Sequence, residues 1–209
     1  MIFLQILKRL NERKKRKQKR KRYASGRDRR GQIPNRRPLS ERPAHIEGRK
    51  QVGHWECDTI IDANHKQAIV TVVERKSGYA VMAKVTNKTS ALVSSAIVDK
   101  LKPLAARVKT LTFDNGKEFT GHETIATALN ADCYFADPYS SWQRGLNENT
   151  NGLLRQYFPK GTDLSRHSKE DLEAVALALN RRPRKALGWR TPAEALDEHL
   201  LSSAEQVLP

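Results

Sequence analysis

Asp58, Asp114 and Glu148 are the residues whose settings in the sequence could do chemistry. Asp58 lies inside the largely apolar stretch WECDTIID (55–62), where an ionised carboxylate is costly to bury without a cation or strong hydrogen bonds. Its neighbours Glu56 and Cys57 supply no positive charge. Asp114 closes the stretch TLTF and is followed at once by Asn115 and Gly116, a turn that presents an acid at the C-terminal edge of a strand, where open α/β sheets bind ligands. Glu148 opens a helical stretch after the loop 140–145, a place where a carboxylate also suits the helix dipole. Singly, each has an ordinary explanation as a hydrogen-bonded buried Asp, a turn Asp or a dipole-pairing Glu. Together, three hard oxygen donors from a first strand, a fourth strand and a later helix suit Mg²⁺ or Mn²⁺ and not zinc. Two such ions roughly 4 Å apart can activate the attacking oxygen and stabilise the leaving oxygen of an in-line phosphoryl displacement.

The elements that must deliver these acids follow from the hydrophobic pattern. Residues 55–62, 67–74 (rich in β-branched side chains) and 79–85 predict three strands joined by hairpin-like connections. Residues 90–101 carry Leu92, Ala96, Ile97 and Leu101 in an approximate helical stripe, closed by Pro103. A strand at 109–113, a helix at 122–129, a short strand at 132–135 and a helix at 148–157 complete the part that holds Asp114 and Glu148. Ser168 with Asp171, and Thr191-Pro192 with Glu194, mark two further helix starts. The fold class implied is α/β, a mixed sheet flanked by helices, with a folded core over 51–200 and a tail at 201–209.

The charge is concentrated at one end. Residues 1–50 contain 19 Lys and Arg against 4 Asp and Glu, while the whole chain of 209 residues has 39 against 23, a formal net charge of +16. The body is therefore close to neutral and the first 50 residues form a basic arm. Its densest part is RKKRKQKRKR, made of Arg13, Lys14, Lys15, Arg16, Lys17, Lys19, Arg20, Lys21 and Arg22 around one Gln. Such a block repels itself and is expected to lie on a nucleic-acid backbone, contact that carries no sequence specificity by itself. A solvated basic linker is the plainer alternative. Gly26, Gly31, Pro34, Pro38 and Pro43, mixed with further Arg, predict an extended arm in place of packed structure.

Other classes are set aside by composition. The longest uninterrupted apolar stretch, 174–179, has six residues, against roughly 20 for a membrane span. The apolar start at Ile2 precedes its positive charges and lacks a small-residue cleavage site, so a cytoplasmic location is expected. Two cysteines, Cys57 and Cys133, cannot form a disulfide framework or a zinc-finger spacing and read as reduced core thiols.

The stretches GHWECDTIID (53–62), LTFDNGKEF (111–119) and YSSWQRGLNENTNGLLRQYFPKG (139–161) resemble the catalytic core of transposases of the insertion sequence thirty family. These belong to the retroviral-integrase-like group with an RNase H-like fold, so a five-stranded mixed sheet is implied. The resemblance runs from about residue 23 to residue 196 and takes in GRDRRGQIP (26–34) and LNRRPRKALGWRTPAEAL (179–196). It implies that Asp58, Asp114 and Glu148 are an acidic triad holding two Mg²⁺ or Mn²⁺ ions, with Asp58 bridging them. Asp114 and Glu148 have 33 residues between them, a spacing similar to the family's. Arg155, seven residues after Glu148, falls where such enzymes carry a basic residue. It lies on the same helix face, placed to hold a DNA phosphate.

The reaction implied is metal-dependent nicking at the ends of an insertion element, followed by transfer of the freed 3′-hydroxyl into target DNA. The partners implied are DNA and further copies of the chain in a synaptic complex, in a nucleoid-associated location. His54, Asn115, Trp142, Asn147 and Asn151 are candidate supporting or DNA contacts. The family's N-terminal helix-turn-helix region has no counterpart before the basic arm, which suggests a truncated copy. The rival to an active enzyme is an inert DNA-binding fragment that modulates intact transposase. An RNA-binding role has little support, since the body lacks an aromatic-rich strand for stacking bases.

Overall fold

A computed structural model describes residues 33–63, 66–138 and 140–205. The basic block of Lys14, Lys15, Arg16, Lys17, Lys19, Arg20, Lys21 and Arg22 lies outside the described residues. Five strands form one sheet in the order β3-β2-β1-β4-β5: β1 His54–Ile61, β2 Ala68–Glu74, β3 Ala80–Val85, β4 Thr110–Phe113 and β5 Asp132–Phe135. The first three run antiparallel as a meander, and β4 and β5 join parallel to β1. The helices are α1 Ser90–Leu101, α2 His122–Leu129, α3 Gly145–Leu154, α4 Lys169–Asn180 and α5 Pro192–Glu205.

Alternation along the strands assigns the helices to opposite faces, because successive side chains of a strand point to opposite sides. Trp55 and Cys57 of β1, Val70 and Val72 of β2, and Leu111 and Phe113 of β4 meet Val93, Ile97 and Leu101 of α1 and Ile125 and Leu129 of α2. Ile60, Ile69, Val73, Ala80 and Met82 face the other way, onto Leu154 of α3 and Leu172 and Leu179 of α4. Each fully buried side chain of this kind contributes about 1.5–3 kcal/mol. Glu56 and Asp58 share the face of Ile60, so β1 directs both acids at the helix that carries Glu148.

Most predicted elements match within a residue, and α1, α2 and β5 match in full. The capping boxes at Ser168 and Asp171 and at Thr191 and Glu194 are formed. Two expectations are corrected. The helix expected over 148–157 begins three residues earlier, at Gly145. Its start carries no side-chain cap of its own; instead the N–H of Asn147 donates to Glu56 Oε2 at 3.2 Å, so a neighbouring strand satisfies one of the free donors that every helix N-terminus exposes.

Residues 33–50, expected as extended arm, are folded onto the body. Ile33 and Ile46 are buried, the Phe135 N–H donates to the Arg37 carbonyl at 2.9 Å, and the compact unit begins at Ile33. Two of the arginines here are neutralised locally: Arg37 meets Asp132 at 2.7 Å and Glu41 at 3.6 Å, and buried Arg42 pairs with Glu47 and donates to Thr112 at 2.9 Å. At the other end, α5 continues to Glu205, into the expected tail.

Candidate active site

Asp58 and Asp114 are brought side by side by the parallel pairing of β1 with β4. The register aligns His54 with Thr110 and Glu56 with Thr112; two residues further along, the same offset sets Asp58 opposite Asp114. Asp114 leaves the end of β4 and its Oδ1 accepts from the Gly116 N–H at 2.8 Å. Gly116 leaves room for the two acids beside it. A Cβ there would lie 2.4 Å from Glu118 Oε2 and 2.8 Å from Asp114 Oδ1, so a side chain would push apart the carboxylates that line this corner.

Asp58 is held from three sides. Its Oδ1 accepts from the Thr59 N–H at 2.8 Å, and its Oδ2 accepts from the Asn151 amide at 2.9 Å. Asn151 is itself fixed by the Thr71 hydroxyl, which donates to it at 3.2 Å. The third partner is Arg144, at the junction into α3, whose Nη1 lies 3.4 Å from Asp58 Oδ2 and whose Nη2 lies 3.6 Å from Asp114 Oδ2. One guanidinium thus spans both carboxylates. Burial pushes the Asp58 carboxyl above its ordinary value, Arg144 pulls it back and Asp114 adds to the rise. Two carboxylates thus share one guanidinium.

Glu148 sits in the first turn of α3, exposed, and makes no hydrogen bond or ion pair among the described residues. Among the described residues, no three His, Cys, Asp or Glu side chains converge as a ready metal cluster. The donors nevertheless fit a divalent cation in chemistry: Asp58 and Asp114 are hard oxygen ligands already drawn together around a positive charge. Glu148 stands outside that pair, on the helix that Asn151 ties to Asp58.

The other expected residues divide. Asn151 touches Asp58 directly. Asn147 is buried one position before Glu148, and its backbone is anchored by Glu56. Asn115 donates to the Ala136 carbonyl at 2.7 Å and accepts from Arg36, which fixes the turn after β4. Trp142 is 73% exposed, two residues from Arg144. His54 is buried and bonded through Nδ1 to the Thr110 hydroxyl at 2.9 Å. Burial, with the nearby cations Lys109 and Arg75, holds its pKa down to about 4, so it is neutral at pH 7 and away from any surface contact. Arg155 is half-buried at the end of α3, donating to the carbonyls of Phe158 and Pro159 at 3.4 Å each. The thiols are inert: burial raises Cys57 far above its ordinary value and Cys133 up to about 12.

Sequence reasoning misses three residues near the site. Arg144 lies within the motif at 139–161, but no local pattern says that it folds back onto Asp58. Glu56 serves as the cap of α3. Glu118, in the same turn as Asp114, accepts from the Thr59 hydroxyl at 2.8 Å and pairs with Lys88 at 2.7 Å, tying that turn to the residue beside Asp58.

This sheet order, with three antiparallel strands followed by two parallel ones, is that of the RNase H-like fold. The catalytic core domain of BIV integrase superposes with a TM-score of 0.53 over 75% of this chain and 99% of that one, at 24% sequence identity. Residues 48–141 match the integrase core domain family. The transposase for insertion sequence element IS1086 of Cupriavidus metallidurans is 44% identical over 87% of this chain and 54% of its own length. That for IS4351 of Bacteroides fragilis is 45% identical over 79% and 51%, and InsI for IS30A of Escherichia coli is 42% identical over 79% and 43%. Over these spans the chain is similar to transposases of insertion sequence elements, that of IS30A among them. It spans about half the length of the curated relatives it matches.

Proposed function

We propose that this chain is the catalytic core of a DNA transposase that nicks the ends of an insertion element and joins the freed 3′-hydroxyl to target DNA. The observation that carries the reading is the meeting of Asp58 and Asp114 across two parallel strands, with more negative charge than the one guanidinium beside them offsets. Two divalent ions, Mg²⁺ or Mn²⁺, are the cofactors proposed, and Asp58, Asp114 and Glu148 are the residues that would hold them. When bound, such ions supply Lewis-acid activation of the attacking oxygen and charge for the leaving oxygen.

The chain's own groups do the positioning. Asn151 and the Thr59 N–H hold the Asp58 carboxylate in one orientation. Glu56 fixes the start of α3 and so the backbone beside Glu148. The Glu148 side chain, without partners among the described residues, is free to turn towards the pair. Arg155 is proposed to take a phosphate of the bound strand, and the basic block from Lys14 to Arg22 the flanking duplex. No protein nucleophile is assigned, in keeping with the two inert thiols. The partners proposed are DNA, both element ends and target, and further copies of this chain in a synaptic complex. No described helix is long and apolar enough to cross a membrane. A nucleoid-associated, cytoplasmic location follows from the substrate.

The test is strand transfer by the purified chain, from a precleaved oligonucleotide end into supercoiled DNA with Mg²⁺ or Mn²⁺. Joining is expected with Glu148 intact and is expected to fall by about 10³-fold or more in Glu148→Gln, as for the loss of a group acting on transition-state charge. Equal joining by Glu148→Gln sinks the triad assignment.

A further inference from the structure

Arg144 occupies the space between Asp58 and Asp114 where the proposed function needs a metal ion. Its guanidinium is mostly buried, yet it is held loosely. The distances of 3.4 and 3.6 Å exceed the 2.7–2.9 Å or so of a good charge-assisted hydrogen bond, and among the described residues its Nε and Nη1 have no hydrogen-bond partner. A buried arginine with idle donors normally carries a desolvation cost that good pairing must offset. Here the pairing is partial, so the residue is poised for a better acceptor. Its place at the junction of the 3-10 turn Ser141–Arg144 and α3, beside exposed Trp142, puts it at the mouth of the site. The acceptor a guanidinium fits best in a DNA-joining enzyme is a phosphate, which it can grip with two parallel hydrogen bonds.

We propose that Arg144 is the resident counter-ion of the Asp58–Asp114 pair and yields it to divalent metal when a DNA phosphate draws the guanidinium away. Metal loading is thereby coupled to DNA binding. Without DNA, an incoming cation must displace a positive charge already paired with both carboxylates. With DNA, that charge is re-housed on phosphate and the two acids are left with uncompensated charge. Linkage makes the coupling reciprocal, so metal strengthens DNA binding by the same factor as DNA strengthens metal binding. Arg144 is a positioning residue in this scheme, acting through the two carboxylates.

The proposal rests on the reading that Asp58 and Asp114 hold the metal, and the experiment separates the two. Mn²⁺ affinity is measured by electron paramagnetic resonance on the full chain, with and without a short duplex at fixed salt and with binding by the duplex alone subtracted. Wild type, Arg144→Met and Asp58→Asn are compared. The expected result is a gain of roughly tenfold or more on adding duplex to wild type, within the usual range of such coupling. Arg144→Met is expected to bind Mn²⁺ tighter by a similar factor without DNA and to gain little more with it. If Arg144→Met binds no tighter than wild type while Asp58→Asn abolishes binding, the metal site stands and the coupling is overturned. If Asp58→Asn binds as well as wild type, the metal site falls and the proposal with it. Should Arg144→Met fail to fold, Arg144→Lys carries the same test. Its ammonium lacks the planar fork that reaches one carboxylate with each nitrogen, so intermediate affinity supports the proposal and affinity equal to wild type overturns it.

Discussion

Two clusters of buried charge lie within two residues of each other along β1, and they are built differently. Glu56 belongs to an alternating chain in which Arg75 lies 3.3 Å from Glu56 and 3.2 Å from Glu47, and Glu47 also pairs with Arg42. Two acids meet two bases, and the charges balance. Asp58 belongs to a cluster in which two acids share one base at looser distances, and the charges do not. A balanced network, buried at Glu56, Arg75 and Arg42 and open at Glu47, is a structural device, here serving to pin the folded segment 33–50 and the start of α3 to β1. An unbalanced one is what the proposed cation site requires. Composition does not separate them, because both set an acid of one face of β1 against arginine brought from elsewhere in the chain; charge balance does.

The sharpest way to break that distinction is to neutralise one acid from each cluster. Asp58→Asn is expected to abolish joining, by about 10³-fold or more, while leaving unfolding free energy within about 1 kcal/mol of wild type. Its charge is already disfavoured by burial, and Asn keeps one acceptor oxygen for the Thr59 N–H while losing the bond from the Asn151 amide. Glu56→Gln is expected to do the reverse in kind. It leaves Arg75, which is 3% exposed, with Glu47 as its one acidic partner at 3.2 Å, so the cost approaches the roughly 3–5 kcal/mol of breaking a buried pair from one side. Urea unfolding and strand transfer on both variants decide the matter. A strongly destabilised Asp58→Asn, or a Glu56→Gln of wild-type stability, would erase the contrast.

His54, at the start of the same strand, sharpens the electrostatic side. Its folded pKa of about 4 lies below the ordinary 6.5 because burial and neighbouring cations oppose its charge. Between those two values the unfolded chain binds more protons than the folded one, so this residue removes stability as pH falls from 6.5 to 4. The loss is on the order of 3 kcal/mol, because a tenfold change in proton affinity between folded and unfolded chain corresponds to about 1.4 kcal/mol. Asp58 and Glu56 have pKa values raised chiefly by burial and work in the opposite direction, regaining stability as they protonate. The measurement is therefore the difference between wild type and His54→Gln in urea unfolding from pH 7 to pH 4. That difference is expected to narrow as pH falls; a constant difference means that His54 is not the group responsible.

The same two clusters mark how far sequence reasoning reaches. The sheet and most helix limits are legible because period-two and period-3.6 patterns are local, as are the capping boxes at Ser168 and Thr191. Asp58 and Asp114 stand out because an acid in an apolar strand and an acid at a strand-ending turn each break the local rule. What holds them cannot be read, since Arg144 and Asn151 come from 86 and 93 residues further along and no spacing signals that return. The segment from Ile33 to Lys50 reads as extended arm for a related reason. Its arginines look repulsive in sequence, but Asp132, Glu47 and Thr112 answer them only in the folded chain.

Asn151 offers the finest test of the difference between the clusters, because it touches the functional one without charge. Its amide donates to Asp58 Oδ2 at 2.9 Å while its carbonyl oxygen accepts from Thr71, so it orients the carboxylate and adds nothing to charge balance. A hydrogen bond to a charged group is worth about 1.5–3 kcal/mol, part of which the freed carboxylate recovers by turning towards Arg144. Asn151→Ala is therefore expected to lower joining by about tenfold and to raise the Mn²⁺ concentration needed for half-maximal rate. Melting temperature should change little, since the side chain sits at the half-exposed edge of the site. If excess Mn²⁺ restores the full rate, the role of Asn151 is to orient Asp58 for metal; if the rate stays low at saturating Mn²⁺, it acts on the reacting strand instead.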